Sequence, residues 1–326
     1  MDAQLINGQI RNFAYKLEKS LSEYSYGQIP NDTFEVKLFN LIEKSSVYNP
    51  WFIPGHMVYA LKYFATELHI LANTEKIIKR IDEKKIGVLF RTNSPLEGIT
   101  NLIYIVLNGY TVLVQTLPEL KKHIEDLIEL LAEIPEVTDR IELIEDKFSN
   151  IIAIIALAPL SVTSLQYFSK YPILQIYNEG LSDILINISD NTDMLSESCC
   201  MYFGRSSMNV KVLFVPREFD VAKLAIIFNK YSDQLNHNRY YNNYEYRKSV
   251  MIINRIPYME TGPLLITEDE NQAGYIGVLL LKRYDMISSI DEDLITRRFP
   301  VKKTETVNFS TFIRHQPLIK SFLDSL

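Results

Sequence analysis

Tyr202-Phe203-Gly204-Arg205-Ser206-Ser207-Met208-Asn209-Val210 runs directly into Lys211-Val212-Leu213-Phe214-Val215-Pro216. The first half is a tight turn and the second a buried strand. A turn that feeds a strand can hold one side chain rigidly at the floor of a cleft. An enzyme needs that placement for a nucleophile. A serine hydroxyl in that turn would need a general base. No histidine lies next to it in sequence. Cys199 and Cys200, a few residues upstream, are expected to face the core.

Upstream of this stretch the chain alternates strand and helix. Lys84 to Phe90 reads as the first strand of a parallel sheet, and Arg91 to Gly98 as the turn after it. A helix runs from Ile99 to Leu107, Asn108-Gly109 stops it, and Tyr110 to Gln115 is a second strand. Strand, helix, strand is a βαβ unit. Its first turn falls at the carboxyl edge of the sheet, where open α/β folds bind ligands. Pro118 to Leu131 is an amphipathic helix with Leu120, Ile124, Leu127 and Leu131 on one face. Ile141 to Ile144 and Asn150 to Ala156 are further strands, and so is Leu181 to Ile188. Asp190 or Asn191 would cap the helix that leads to Cys199 and Cys200. Residues 1 to 45 read as a covering helix pair, with Asp32 as a cap. His56 is expected at the surface near a helix start, and Trp51 as a buried anchor. After Pro216 come a helix over Phe219 to Tyr231 and two apolar strands around Glu268.

Several of these blocks together resemble one known family. These are Asn49-Pro50-Trp51-Phe52-Ile53-Pro54; the nucleophile stretch with Tyr202, Phe203, Gly204, Asn209, Val210, Phe214, Val215 and Pro216; His237-Asn238-Arg239-Tyr240-Tyr241-Asn242-Asn243-Tyr244-Glu245-Tyr246; and Gly262 followed by Thr267-Glu268-Asp269-Glu270 and a second apolar strand. Their order and spacing over about residues 45 to 290 resemble the bioluminescence-type fatty acyl-CoA reductases, the LuxC family of the aldehyde-dehydrogenase-like superfamily. The resemblance implies an α/β fold of two lobes with parallel sheets. Residues 1–200 would form a Rossmann-like cofactor-side lobe and 201–295 a catalytic-like lobe. Residues 296–326 would return to the first lobe.

In an active member the resemblance implies a thiolate attacking a fatty acyl thioester, loss of CoA, and hydride delivery from NADPH to release an aldehyde. Ser207 stands where that Cys belongs. Asn93 matches the turn asparagine that donates to an oxyanion, a role set beside simple turn capping. Ser161 and Thr163 could contact cofactor or could cap a helix. Glu268 could hold the nicotinamide ribose or could be a solvated acid. His237, Asn238, Asn242 and Tyr244 could meet substrate, or form a polar cleft wall. The three-residue Thr-Gly-Ser turn of the family reads Leu157-Ala158-Pro159-Leu160-Ser161 here, and a proline removes a backbone donor. The family's basic segment is replaced by Ile176-Tyr177-Asn178, so a cation for a phosphate is missing. The expectation is weak binding of NADPH, and a divergent homologue that is non-catalytic or weakly active. An active reductase using Ser207 or a displaced Cys stays open, as does a serine acyltransferase or esterase.

Composition is compatible with this reading. The 326 residues suit two interlocked domains, with 47% hydrophobic residues for a core and 23% charged. A net charge of −6 gives no reason to expect a nucleic-acid or membrane-surface partner. An acyl thioester, an acyl-transfer partner protein or a second copy are the partners implied. Neither a leader, a bilayer span nor a disulfide framework is visible, so the expected location is the cytoplasm. The five His share no ligand spacing, and a metal is not expected.

Overall fold

In this computed structural model the structure describes residues 3–74, 84–157, 159–176, 181–185, 192–290, 297–299 and 311–326. Internal contacts divide the chain into Met1–Tyr177 with Ser310–Leu326, and Asn178–Phe309. The sequence reading drew the boundary near residue 200. The helix ending at Cys200 and the strand before it therefore belong with the second unit. Ala158, Tyr177, Asn178, Asp190 and Asn191 lie outside the described residues.

The first unit opens with α1 (Ala3–Glu23). Its Ile6, Ile10, Phe13, Leu17 and Leu21 recur at helical spacing and are all buried. α2 (Thr33–Glu43) starts where expected, because Asp32 accepts from the Glu35 N–H at 2.8 Å. The short α3 (Ser45–Tyr48) leads into the Pro50-Trp51 corner, where Asn49 accepts from the Trp51 N–H at 3.1 Å. Pro54 occupies the first turn of α4 (Pro54–Asn73), the one helical position that tolerates it. His56, in that first turn, is buried rather than at the surface.

β1 (Lys85–Phe90), β2 (Thr111–Thr116), β3 (Ile141–Leu143), β4 (Ile151–Leu157) and β5 (Ile173–Gln175) form one sheet in the order β3-β2-β1-β4-β5. Every pairing in it is parallel. Its central strands β1 and β4 are near-continuous apolar runs, buried at successive positions and so on both faces. α5 (Ile99–Leu107), between β1 and β2, is buried at every residue. It begins at Gly98, φ 87°, and a Cβ there would lie 3.1 Å from Leu157. α6 (Pro118–Leu130) follows β2 and buries Leu120, Ile124 and Leu127 as its pattern requires. α7 (Pro135–Thr138) and α8 (Val162–Tyr167) are single turns or little more. The sequence reading gave no strand at Ile173–Gln175. Three residues are too few to show a period.

The second unit begins with β6 (Leu181–Leu185) and α9 (Thr192–Cys200), then β7 (Val210–Pro216), α10 (Ala222–Phe228) and α11 (Asn238–Ile253). β8 (Met259–Glu260), β9 (Leu265–Thr267), β10 (Val278–Tyr284) and β11 (Arg297–Phe299) complete a six-stranded sheet in the order β11-β6-β7-β10-β9-β8. All neighbours are parallel except β8, which is antiparallel to β9. The polar Tyr-Asn block turns out to be the first half of α11.

The last helix, α12 (Thr311–Asp324), belongs to the first unit and packs against α5. Phe312 is buried, and its N–H donates to the Glu67 carboxylate at 3.4 Å. His315 is 6% exposed, with Nδ1 3.4 Å from the Asn101 amide nitrogen. Its Nε2 has no hydrogen-bond partner among the described residues. Burial, with the neighbouring Arg314 charge, pushes its pKa from 6.5 down to about 4. The folded state holds the ring neutral, so its contribution is complete above about pH 6.5. It is lost as pH falls towards 4, because the unfolded chain takes up the proton first. The full shift is worth about 3 kcal/mol. Burial lowers His123 on α6 as well, in the same direction. Urea unfolding at pH 7.5 and pH 5 should therefore show lower stability at pH 5. His315→Leu should remove most of the difference. An unchanged difference in that variant would refute the assignment to His315.

Candidate active site

The candidate residues sort by unit. In the first, Asn93 is exposed in the turn after β1, and Leu96 of the same turn is left-handed at φ 58°. Ser161 and Thr163 follow β4, which pairs with β1 out to Phe90 opposite Leu157. The three residues therefore share the carboxyl edge where the strand order reverses, the place where open α/β sheets bind ligands. Ser161 is occupied there. Its Oγ accepts from the Ser164 N–H at 3.1 Å and lies 2.9 Å from the Ser164 hydroxyl, capping α8. Thr163 is exposed in the first turn of that helix.

In the second unit the opening stretch folds as the sequence suggests, and tighter. Tyr202 (φ 55°, ψ 30°) and Phe203 (φ 59°, ψ 28°) are both left-handed, and Gly204 follows at φ 65°. Two bulky residues in that region cost of order 1–3 kcal/mol each, so the surroundings must impose the shape. Three anchors do so. Phe203 packs its ring 4.5 Å from His237 and 5.3 Å from Tyr240. Asn209, wholly buried, accepts from the Ser206 N–H at 2.7 Å and donates to the carbonyls of Ser198 at 2.9 Å and Met201 at 3.0 Å. Lys211 donates its ammonium to the Gly204 carbonyl. A Cβ on Gly204 would sit 3.1 Å from the Cys199 carbonyl, so the chain has glycine where a side chain would crowd backbone.

Ser206 is buried and its Oγ accepts from the Met208 N–H at 3.1 Å. Ser207, next along, is half-buried. Burial pushes the Lys211 amine from 10.5 down to about 8, Cys199 opposing the shift and the Arg205 charge adding to it. Cys199 and Cys200 form no disulfide and are buried, and burial first, then Cys199, raises the Cys200 thiol well above its ordinary value. A buried, protonated thiol is a poor nucleophile.

Ser207 and Glu268 lie beyond opposite ends of strands in one parallel run. Strands β7, β10 and β9 run parallel, with Val212 opposite Leu280 and Leu280 opposite Thr267. Ser207 precedes the amino end of β7, whereas Glu268 follows the carboxyl end of β9. Glu268 is level with Leu213, about 10 Å further along the strand direction than Val210. Its carboxylate pairs with Arg283 at 2.8 Å. The α11 residues are largely structural in their contacts. His237 caps the helix by accepting from the Tyr240 N–H at 3.3 Å. Tyr240 donates to the Pro263 carbonyl, and Tyr244, 2% exposed, donates to Glu260 at 3.3 Å. Burial raises the pKa of both phenols. Asn238 and Asn242 are exposed on the same helix.

One site escaped the sequence reading. A cleft of about 490 Å³ opens at the carboxyl ends of β1, β2 and β3, lined by Arg91, Gln115, Thr116, Lys121 and Glu145 over apolar Val114, Pro118, Leu143 and Ile144. Its size is that of a small-molecule site. A second void, beside Phe52 and His123, is only about 10 Å³, room for a single water. Among the described residues no three His, Cys, Asp or Glu gather as a metal site, and no helix is long and apolar enough to cross a membrane.

No family model and no curated protein matches this sequence. Solved structures do. Succinic semialdehyde dehydrogenase from Streptococcus pyogenes, in complex with NADP+, matches with a TM-score of 0.62 at 9% identity, over 98% of this chain and 80% of that one. A variant of betaine aldehyde dehydrogenase from Staphylococcus aureus matches with 0.59 at 10%, over 89% and 68%. A variant of aldehyde dehydrogenase C from Pseudomonas syringae, in complex with NAD+ and octanal, matches with 0.56 at 13%, over 88% and 69%. The fold is therefore α/β and aldehyde-dehydrogenase-like. Likeness at such identity speaks for fold and leaves activity to be argued from the site.

Proposed function

We propose that this chain is a divergent homologue of the LuxC-type acyl-CoA reductases that engages an acyl thioester and does not complete the reductive step. The observation that carries the reading is the turn at 202–209. Two left-handed aromatics, a buried asparagine and a half-buried lysine all act to hold one half-buried position, Ser207, in place. Backbone strain of this kind is kept where a site needs a fixed geometry. The residue so presented is a hydroxyl, which is a weak nucleophile without a base.

The aldehyde-dehydrogenase-like fold implies a nicotinamide cofactor, which supplies hydride when bound. The residues here fit only part of it. Pro159 offers no N–H at the turn after β4, and the Ser161 hydroxyl is spent on its helix. Glu268 is paired with Arg283. We therefore derive no hydride step. NADPH remains the cofactor the resemblance implies for an active member.

The test is direct. Incubation with a long-chain acyl-CoA should leave the intact mass unchanged. A covalent acyl adduct on Ser207, Cys199 or Cys200, released as aldehyde by NADPH, would establish an active reductase instead. Release of CoA without NADPH, abolished by Ser207→Ala, would establish a serine acyltransferase or esterase.

A further inference from the structure

The helix α11 is held to its unit along one narrow line. Its buried positions, Tyr240, Tyr244 and Met251, fall on one side at helical spacing. The opposite side carries Arg239, Asn242, Tyr246, Ser249 and Ile253, spaced three or four apart and all exposed. Tyr246 is 62% exposed and Ile253 78%, and Ile252 beside them is 57% exposed. A contiguous apolar patch left open to water marks a contact surface. The acyl-thioester reading uses only the inner side of this helix start, where His237 and Tyr240 pack on Phe203 of the nucleophile turn.

Charge decides what covers the outer side. α11 contains Arg239, Arg247 and Lys248 against a single acid, Glu245, and Arg255 follows its end. Lys248 is paired with Glu260 at 3.0 Å. Arg239 and Arg255 are exposed and enter no ion pair among the described residues. The Arg247 guanidinium lies 3.2 Å from the Tyr275 ring centre and 5.1 Å from that of Tyr246, so it braces two exposed aromatics. The face is therefore apolar along its middle and cationic at both ends, in a chain whose net charge is −6. A second copy fits it badly, because a two-fold contact sets one patch against itself and arginine would meet arginine. An anionic bilayer would face the net negative charge of the chain. An acidic amphipathic helix matches it, with apolar residues over Tyr246 and Ile253 and carboxylates at the arginines.

We propose that the outer face of α11 docks an acidic helix of a small carrier protein, which brings the acyl thioester on a flexible arm. The proposal rests on the acyl-thioester reading for its cargo and on α11 alone for the docking. A carrier seated there sits on the helix that braces the turn of Ser207.

Surface-plasmon titration of the full chain over an immobilised holo acyl carrier protein tests the docking with no acyl chain present. Binding should fall steeply as ionic strength rises. Arg239→Glu combined with Arg255→Glu should weaken it at least roughly tenfold, and so should Ile253→Asp, which puts a charge in the apolar middle. Lys19→Glu combined with Lys62→Glu makes the same change of charge at exposed positions of α1 and α4, and should leave affinity within about twofold. No measurable binding, or equal weakening by the two charge-reversed pairs, overturns the proposal. Self-association, or co-sedimentation with phosphatidylglycerol vesicles, that is lost in the arginine pair while the carrier fails to bind assigns the face to a second copy or a membrane and overturns it as well. The acyl-thioester reading fails separately: the holo carrier then docks through the arginines, while a long acyl chain on the carrier or on CoA adds nothing to affinity. Engagement of acyl-CoA without any carrier binding sinks the docking and leaves that reading standing.

Discussion

Asn209→Ala should cost about 3–5 kcal/mol, a large share of the 5–15 kcal/mol that ordinary domains possess. The side chain makes three bonds at a position with no solvent exposure: one accepted from Ser206 and two donated to Ser198 and Met201. Alanine takes the partner from a buried N–H, a buried carbonyl and a part-buried carbonyl, each buried loss costing roughly 1–3 kcal/mol less whatever local relaxation recovers. The turn would also lose the clamp that offsets its left-handed residues. Urea unfolding should show the loss, and the amides of Ser206, Met208 and Asn209 should lose hydrogen-exchange protection first. Asn209→Asp should be no better, since a carboxylate faces two carbonyl oxygens. A loss below about 1 kcal/mol, or a tolerated aspartate, would show that the clamp is not what holds the turn.

How much of this was legible beforehand follows from where the information sits. The parallel sheet of the first unit was readable because its strands are short apolar runs separated by an amphipathic helix and an Asn-Gly stop. The turn-then-strand at 202–216 was readable because both halves are local. The left-handed shape of Tyr202 and Phe203 was not, because aromatic residues do not ordinarily signal positive φ. Nor was α11, whose buried positions Tyr240, Tyr244 and Met251 are too few and too polar to show a helical period. The polar density of the block suits a structural cleft wall as well as a substrate contact, and the Tyr240 and Tyr244 phenols donate to Pro263 and Glu260. Glu268 was placed by motif order alone, which says nothing of strand direction. Parallel pairing puts it past a carboxyl strand end, whereas Ser207 precedes an amino end. The cleft beside Arg91 was invisible for another reason. Its walls come from the ends of three strands and one helix, and only topology brings Arg91, Gln115, Lys121 and Glu145 together. Lys211 read as an ordinary strand residue, and its bond to Gly204 depends on how the turn curls back.

Ser207→Cys alone should convert this turn into an acyl acceptor, with acylation by acyl-CoA at least roughly a hundredfold faster than in the parent chain. The basis is the intrinsic advantage of a thiol, of which a few per cent is already thiolate near neutrality. Arg205, beside it in sequence, and Lys211, bonded to the same turn at Gly204, are cations that favour the thiolate. The variant should leave Ser206 in place. Ser206→Gly would remove the Oγ that accepts from Met208 and so loosen the turn. Background is low, because Cys199 and Cys200 are buried and the Cys200 thiol is pushed up by burial. A small aromatic disulfide reagent should therefore titrate no cysteine in the folded parent and one in the variant. That separates access from chemistry. A reactive thiol at position 207 that acyl-CoA does not acylate would mean that the acyl site is lost beyond the nucleophile. A thiol that neither reagent reaches would mean that the turn does not present position 207 to ligand at all.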